Sequence, residues 1–186
     1  MIDTGDLRKG LTIELDGNLY SIVDWEHNKT GRGGAVVRLK LRDVRAGHII
    51  ERTWPAGSKF QRARVERQPA QYLYADGDLY YFMNKQSFEQ IAVNGERIAD
   101  VTPYLRENDD CSLLTYGDEA LSVELPAAVV LTVSETEPGV RGDTAQGATK
   151  PARLETGLTV NVPLFVNEGD KVKVDTRSGQ YLERAN

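Results

Sequence analysis

The chain has 186 residues, a formal net charge of −5 and a single cysteine. One cysteine excludes an intramolecular disulfide and a cysteine-cluster metal site. Residues 1–6 show no apolar segment of a secretory signal, and the most apolar stretch, residues 125–133, is too short to span a bilayer. We therefore expect a cytoplasmic protein without a membrane partner, of a size that fits one ordinary domain or two to three small ones.

Alternation of apolar and polar residues predicts strands along most of the chain. In residues 37–42, Val, Leu and Leu alternate with the cations Arg38, Lys40 and Arg42, which is typical of a half-buried strand. Similar runs lie at residues 11–15, 20–25, 49–54, 72–74, 79–83, 121–125, 129–133, 158–166 and 172–174. One short helix is predicted over residues 96–105, although Pro103 interrupts its pattern.

Many short strands with turn residues between them predict small antiparallel barrels. The chain length fits three such barrels, with boundaries near Arg64, where the charge balance reverses, and just after Pro126. The predicted domains are residues 1–64, 65–127 and 128–186. The fold prediction is all-β, with three small barrels in tandem.

The net charge hides a strong asymmetry along the chain. Residues 1–64 hold 12 Lys and Arg against 8 Asp and Glu, a net +4; residues 65–127 hold 4 against 12, a net −8. Residues 128–186 hold 7 against 8, a net −1. A basic end on an acidic chain is expected of a protein that meets a polyanion at that end only.

The basic third also contains a glycine-rich loop, which reads Asn-Lys-Thr-Gly-Arg-Gly-Gly at residues 28–34. Strand-like runs flank it, so the loop is predicted to be the tip of a long hairpin with Arg32 exposed. A permanently charged guanidinium at such a tip suits contact with phosphate-rich targets. A solvent loop with an incidental arginine is the alternative.

The stripe of Arg38, Lys40 and Arg42 is open to two interpretations. Alone it fits a solvated strand face, but with the other cations of residues 1–64 it favours a surface that follows an RNA backbone. Four tyrosines at residues 72, 74, 80 and 81 lie in the acidic block. We interpret them as packing residues rather than as a platform for bases.

Catalytic chemistry has little support in the sequence. His27 and His48 lie in no nucleophile or metal pattern, and no phosphate-binding loop or serine elbow is present. Cys111 lies in an apolar run and is predicted to be a small buried residue. We expect a protein that is not an enzyme and that needs no cofactor and no metal.

Several motifs together resemble bacterial elongation factor P. The C-terminal motif is the most specific: KPARLETG at residues 150–157, VPLFVNEGD at 162–170 and VDTR at 174–177. The glycine-rich loop resembles the tip of that family's N-terminal domain. YLYADG at residues 72–77 and VELP at 123–126 resemble its middle domain. The likeness runs over nearly the full length.

The resemblance implies an SH3-like barrel of the KOW type followed by two OB-fold barrels, in an L-shaped outline that imitates tRNA. It also implies a monomeric translation factor that binds both ribosomal subunits beside the peptidyl-tRNA and promotes peptide-bond formation at consecutive prolines. Two alternatives remain at this point: an elongation factor P-like paralogue and a general RNA-binding protein.

The resemblance also implies roles for individual residues. The tip loop would contact the tRNA acceptor end through Lys29, Thr30, Gly31, Arg32, Gly33 and Gly34, while Arg38, Lys40 and Arg42 meet the RNA backbone. Messenger or small-subunit RNA would be met by Gly142, Asp143, Thr144, Lys150, Tyr181 and Arg184.

Arg32 is also the candidate for modification. Many family members have a lysine at the tip that receives a β-lysyl extension, which an arginine excludes. Arginine-tipped members that receive a rhamnose usually lack the Gly33-Gly34 flank. We expect an unmodified Arg32, with a modifying enzyme as the alternative partner.

Overall fold

The computed structural model describes residues 1–139 and 147–185, and these are almost entirely strands and turns. The first seven strands are β1 (Ile2–Asp3), β2 (Thr12–Leu15), β3 (Asn18–Thr30), β4 (Gly34–Asp43), β5 (Ile49–Pro55), β6 (Lys59–Arg62) and β7 (Glu66–Asp76). They are followed by β8 (Leu79–Asn84), β9 (Gln90–Asn94), β10 (Asp110–Tyr116), β11 (Glu119–Glu124) and β12 (Ala128–Thr136). The last four are β13 (Thr149–Leu154), β14 (Thr159–Pro163), β15 (Lys171–Asp175) and β16 (Tyr181–Arg184). The prediction of an all-β fold is confirmed.

The N-terminal sheet has six strands in the order β1-β6-β2-β3-β4-β5, and neighbouring strands pair antiparallel. On β4, Val37, Leu39 and Leu41 are fully buried, whereas the residues between them are exposed. They join a core of apolar residues from the whole sheet: Leu7, Ile13, Tyr20, Ile22 and Phe60. The half-buried strand predicted for residues 37–42 is therefore confirmed, with its cations on the outer face.

The second sheet has five strands in the order β11-β10-β7-β8-β9. The helix predicted over residues 96–105 is wrong in type: two short 3-10 helices, Gly95–Ile98 and Thr102–Tyr104, occupy this stretch. Pro103 cannot donate a backbone hydrogen bond, so a continuous α-helix is disfavoured there. Ile98 and Leu105 of this stretch are buried.

The third sheet has five strands in the order β14-β13-β12-β15-β16. Its core is built from the inward residues of these strands, chiefly Leu131, Val133, Leu154, Val162, Val172 and Val174. Tyr104 joins this core, and the Thr156 hydroxyl donates to the carbonyl of Pro103. The segment with the two 3-10 helices is thus fixed against the third sheet.

The contacts between Cα atoms in space divide the chain into two compact units. The first unit holds residues 1–68 with 113–122, and the second holds residues 69–112 with 123–186. Within the first unit, Leu19, Ala63 and Leu121 form a small buried cluster. The boundaries predicted near residues 64 and 127 remain a prediction.

Two further observations concern the described part of the chain. None of its helices has the length and apolar character needed to cross a membrane. Cys111 is only 7% exposed, which confirms that it is a buried residue. Burial raises the pKa of its thiol to about 12.

Candidate nucleic-acid interface

The longest strand pair of the molecule carries the candidate site. Strands β3 and β4 pair continuously toward the tip, from Trp25 opposite Leu39 to Thr30 opposite Gly34. Strand β5 supports β4 from the other side as far as Val36, and the amide of Ala56 donates to the carbonyl of Ala35. Only about two residue pairs extend beyond this three-stranded support. The hairpin tip is therefore short and well braced.

The tip itself is a three-residue connection, residues 31–33, between β3 and β4. Gly34 follows with φ +79°, a left-handed conformation that glycine adopts without steric cost. A side chain at Gly31 would meet open space. The loop thus requires glycine at Gly34, while the other glycines mainly leave the surroundings of Arg32 open.

Arg32 and Lys29 are the cations of the tip, and both are exposed. Neither belongs to an ion pair within the described residues. Gly31 and Gly33 beside Arg32 are exposed as well. The guanidinium is thus available to an external anion.

The three cations of β4 lie on the outer face of the sheet, as the alternation predicted. Strand pairing, however, brings acidic residues beside them: Glu26 lies opposite Arg38, and both Asp24 and Glu51 lie opposite Lys40. The Arg38 guanidinium is bound to the Glu51 carboxylate. The stripe is therefore a mixed face whose positive charge is balanced in part by its own neighbours.

The Asp24 carboxylate interacts with several neighbours on this face. Its carboxylate accepts from the Lys9 ammonium at 3.1 Å and from the backbone amide of Trp25 at 3.0 Å. These two hydrogen bonds lower the pKa of Asp24 from its ordinary value, and the positive charges of Lys9 and Lys40 add to the effect. Asp24 stays ionised at neutral pH and holds negative charge on the face.

A shallow polar depression lies on the same face, lined by Asp24, Trp25, Glu26, Arg38, Lys40 and Glu51. Reasoning from the sequence missed the carboxylates and Trp25. The pairing shifts by one residue between Ile22 and Asp24, where Val23 forms an irregularity. A bulge of this kind changes which residues share a face of the sheet. The local sequence contains no pattern that predicts this bulge.

The C-terminal positions differ in how available they are. Gly142, Asp143 and Thr144 lie outside the described residues. Lys150 is only 7% exposed, and its ammonium donates to the carbonyl of Glu137, so contact with RNA would require it to rearrange. Tyr181 packs against the core of the third sheet.

Arg184 is exposed at the end of β16. Its guanidinium lies 5.4 Å from the ring centroid of the exposed Phe165 and 3.9 Å from the Asp170 carboxylate. Of the predicted C-terminal contacts that the structure describes, Arg184 is the most accessible to an RNA.

Comparison with known families defines the class first. Residues 3–60 match the model of the elongation factor P KOW-like domain, residues 65–123 that of its OB domain, and residues 129–184 that of its C-terminal domain. The protein thus belongs to the translation factors built from KOW-like and OB domains.

The similarity to individual proteins extends over the whole chain. It is 53% identical over 185 residues to the elongation factor P of Moorella thermoacetica, covering 100% of both chains. It is 52% identical over 184 residues to that of Natranaerobius thermophilus, covering 99% of this chain and 98% of the relative. The chain belongs to the elongation factor P family.

Solved structures support the fold alone. A eukaryotic translation initiation factor 5A from Methanococcus jannaschii has a TM-score of 0.54 and 24% identity, covering 65% of this chain and 86% of its own. A translation initiation factor of the same family from Naegleria fowleri has a TM-score of 0.52 and 14% identity, covering 67% of this chain and 96% of its own.

Proposed function

We propose that this translation factor binds the ribosome beside the peptidyl-tRNA and promotes peptide-bond formation at consecutive prolines. The observation that carries the proposal is Arg32, an exposed cation outside every described ion pair, at the end of a braced hairpin in a member of the elongation factor P family. Proline reacts slowly in peptide transfer partly because its ring fixes φ and restricts the nascent chain.

The contribution of the protein would be positioning rather than chemistry. A guanidinium offers five donors in a fixed geometry and suits the phosphates and base edges of the tRNA acceptor end. Holding a reactant in its productive geometry removes an entropic cost, and each ~1.4 kcal/mol so removed is worth about tenfold in rate. The ribosome would carry out the reaction, so no catalytic group of the factor is required.

The surrounding residues would guide the tip. Lys29 and Thr30 lie next to it in the chain, and Gly31, Gly33 and Gly34 allow a close approach of RNA. On the outer face of β4, Lys40 and Arg42 form no ion pair with another described residue, so they would meet the backbone first. Arg38 would have to exchange Glu51 for a phosphate.

The remaining proposals concern the location, the oligomeric state, the partners and the modification of the protein. We place the protein in the cytoplasm as a monomer that contacts both ribosomal subunits, with Arg184, Tyr181 and residues 142–144 toward messenger or small-subunit RNA. Arg32 acts unmodified in this proposal, without a dedicated modifying enzyme.

The test measures translation through three consecutive prolines by ribosome toeprinting, with protein from its native host. The intact mass is measured first and is expected to equal that of the unmodified sequence. Arg32→Ala is expected to reduce the relief of stalling at least about tenfold, since it removes the positioning contact. Arg153→Ala is the matched control, because Arg153 is an exposed arginine of β13 that belongs to no predicted RNA contact.

Equal relief by the Arg32→Ala and wild-type proteins would remove Arg32 from the mechanism. Absence of relief by the wild-type protein would contradict the function itself.

A further inference from the structure

The outward face of strands β7, β8 and β9 is an aromatic surface with no role in the proposed function. Tyr74 lies opposite Tyr81, and Tyr81 lies opposite Ala92 on the third strand. Leu79, two residues before Tyr81, shares this face and lies opposite Asp76. Met83, two residues after Tyr81 on β8, points to the same side. We call this set of residues the outer tyrosine face: Tyr74, Asp76, Leu79, Tyr81, Met83 and Ala92.

The sequence predicts that all four tyrosines of this region are packing residues. Tyr72 fits that description, since it is 6% exposed and contacts the ring of the buried Phe82. Tyr74 does not, because 44% of it is exposed. The pairing shifts between Tyr72 and Tyr74 at Leu73, and this irregularity turns Tyr74 outward.

The two rings of this face, that of the exposed Tyr74 and that of the half-buried Tyr81, are already ordered. The rings of Tyr74 and Tyr81 are stacked, with centroids 4.7 Å apart and planes 20° from parallel. Leu79 beside them is 39% exposed. Contiguous exposed apolar surface of this kind marks a binding site more often than isolated exposed residues do. Because the two rings already pack against each other, these side chains would lose little conformational entropy when a partner binds.

The surroundings of this face are acidic. Residues 69–112 include β8, β9 and all of β7 except its first three residues. They contain 8 Asp and Glu against 3 Lys and Arg, a net charge of −5. Lys85 is paired with Asp110 and Arg106 with Asp109. Asp76 lies on the face itself, and Asp78 lies in the turn that follows β7. A cationic partner is attracted by such a field and a phosphate backbone is repelled.

We propose that the outer tyrosine face binds an arginine-rich segment of a protein partner. Guanidinium groups stack on tyrosine rings and form paired hydrogen bonds with carboxylates, so one side chain can satisfy both features of this surface. A platform for RNA bases would need a positively charged groove around its aromatic residues. A second copy of the chain would bring acidic surface against acidic surface.

The test titrates the full-length protein with a fluorescent peptide of alternating arginine and glycine and follows anisotropy. The lysine counterpart is expected to bind less tightly, because an ammonium lacks the planar stacking surface. Tyr74→Ala and Tyr81→Ala are each expected to weaken binding of the arginine peptide about three- to fivefold, whereas Tyr81→Phe keeps the ring and the affinity. Phe165→Ala is the matched control, because Phe165 is an exposed aromatic residue in the turn after β14 and its loss should leave binding unchanged.

Three results would overturn the proposal. One is equal affinity of the wild-type and both alanine variants for the arginine peptide, or the absence of binding. Another is tighter binding of single-stranded RNA than of the peptide, lost in Tyr81→Ala. The third is a concentration-dependent dimer, detected by sedimentation, that the alanine variants abolish. Thermal unfolding of each variant confirms that it is folded, and Tyr74→Leu, which removes the ring but keeps an apolar side chain at the exposed position, tests the ring if an alanine variant is not folded.

Discussion

Arg32 and Lys150 were both assigned to RNA contact, yet their surroundings are opposite. Arg32 is exposed in a loop, whereas the Lys150 ammonium is held by the carbonyl of Glu137. On β13, alternate residues point inward, and Lys150 shares the inward side with Ala152 and Leu154. A long side chain can bury its stem in this way and still satisfy its charge. At the residue scale, a cation is available in an exposed loop and is not available on the inward side of a strand.

Gly34 is the glycine of the tip whose conformation demands a glycine. Gly34→Ala is expected to lower the free energy of unfolding by about 1–2 kcal/mol, because φ +79° is unfavourable for an L-residue with a side chain. Gly31→Ala is the matched control, since a methyl group there would have no neighbour within 4 Å and the φ of Gly31 is not positive. Chemical denaturation measures both. Equal losses would contradict a special role of Gly34.

Cys111 gives a prediction about pH. Because burial raises its pKa to about 12, the native state keeps the proton where the unfolded state releases it. The free energy of unfolding should therefore fall as the pH rises above the ordinary pKa of a cysteine thiol, which applies to the unfolded chain. The fall should end near the raised pKa of the native state.

Cys111→Ala should remove this part of the pH dependence in denaturation curves. Alkylation of the native thiol at pH 8 should also be at least about a hundredfold slower than in denaturant, since the thiolate is the reactive form. Rapid labelling of the native protein would show that the thiol is accessible.

At the element scale, the β3–β4 hairpin shows which part of a site depends on register. The outward direction of Arg38, Lys40 and Arg42 follows from period-two alternation alone. Their neighbours depend on pairing with β3 and β5, and that pairing adds three carboxylates to the face. The cationic stripe is therefore a weaker attractor of phosphate than its sequence indicates.

Glu51 tests this balance. Glu51→Gln should release Arg38 from its ion pair and increase the affinity for ribosomal RNA about two- to threefold, with a steeper dependence on salt concentration. Glu183→Gln is the control, because it removes the same charge from an ion pair with Lys173 on the third sheet. Filter binding over a range of salt measures both. An equal effect of the two variants would assign the change to net charge alone.

At the scale of the whole molecule, the charge is divided as the sequence indicated: basic in residues 1–64 and acidic in residues 65–127. The first compact unit nevertheless includes residues 113–122 of the acidic part. Arg45 binds Glu119 there through two parallel hydrogen bonds of 2.8 Å. The hydrogen bonds to Glu119 raise the pKa of Arg45 above its ordinary value despite partial burial. Opposite charges thus link the N-terminal sheet to β11 within one unit.

The Arg45–Glu119 pair should show measurable coupling. A double-mutant cycle with Arg45→Gln and Glu119→Gln is expected to give about 1 kcal/mol, since the pair is bidentate and only about a third exposed. The same cycle on the more exposed pair Lys173–Glu183 is expected to give less than about 0.5 kcal/mol. Urea denaturation of each set provides the values. No difference between the two cycles would mean that the bidentate geometry adds nothing.

The sequence by itself determined the all-β fold, the outward side of β4, the exposed tip around Arg32 and the division of charge, because alternation, turn residues and charge are local properties of the chain. It also contains the motifs that are typical of the family. Only the tertiary structure decided that Asp24, Glu26 and Glu51 accompany the cations, that Tyr74 faces outward while Tyr72 is buried, and that Lys150 is enclosed. These features depend on strand register and on single-residue bulges, which are fixed by contacts between residues far apart in the chain.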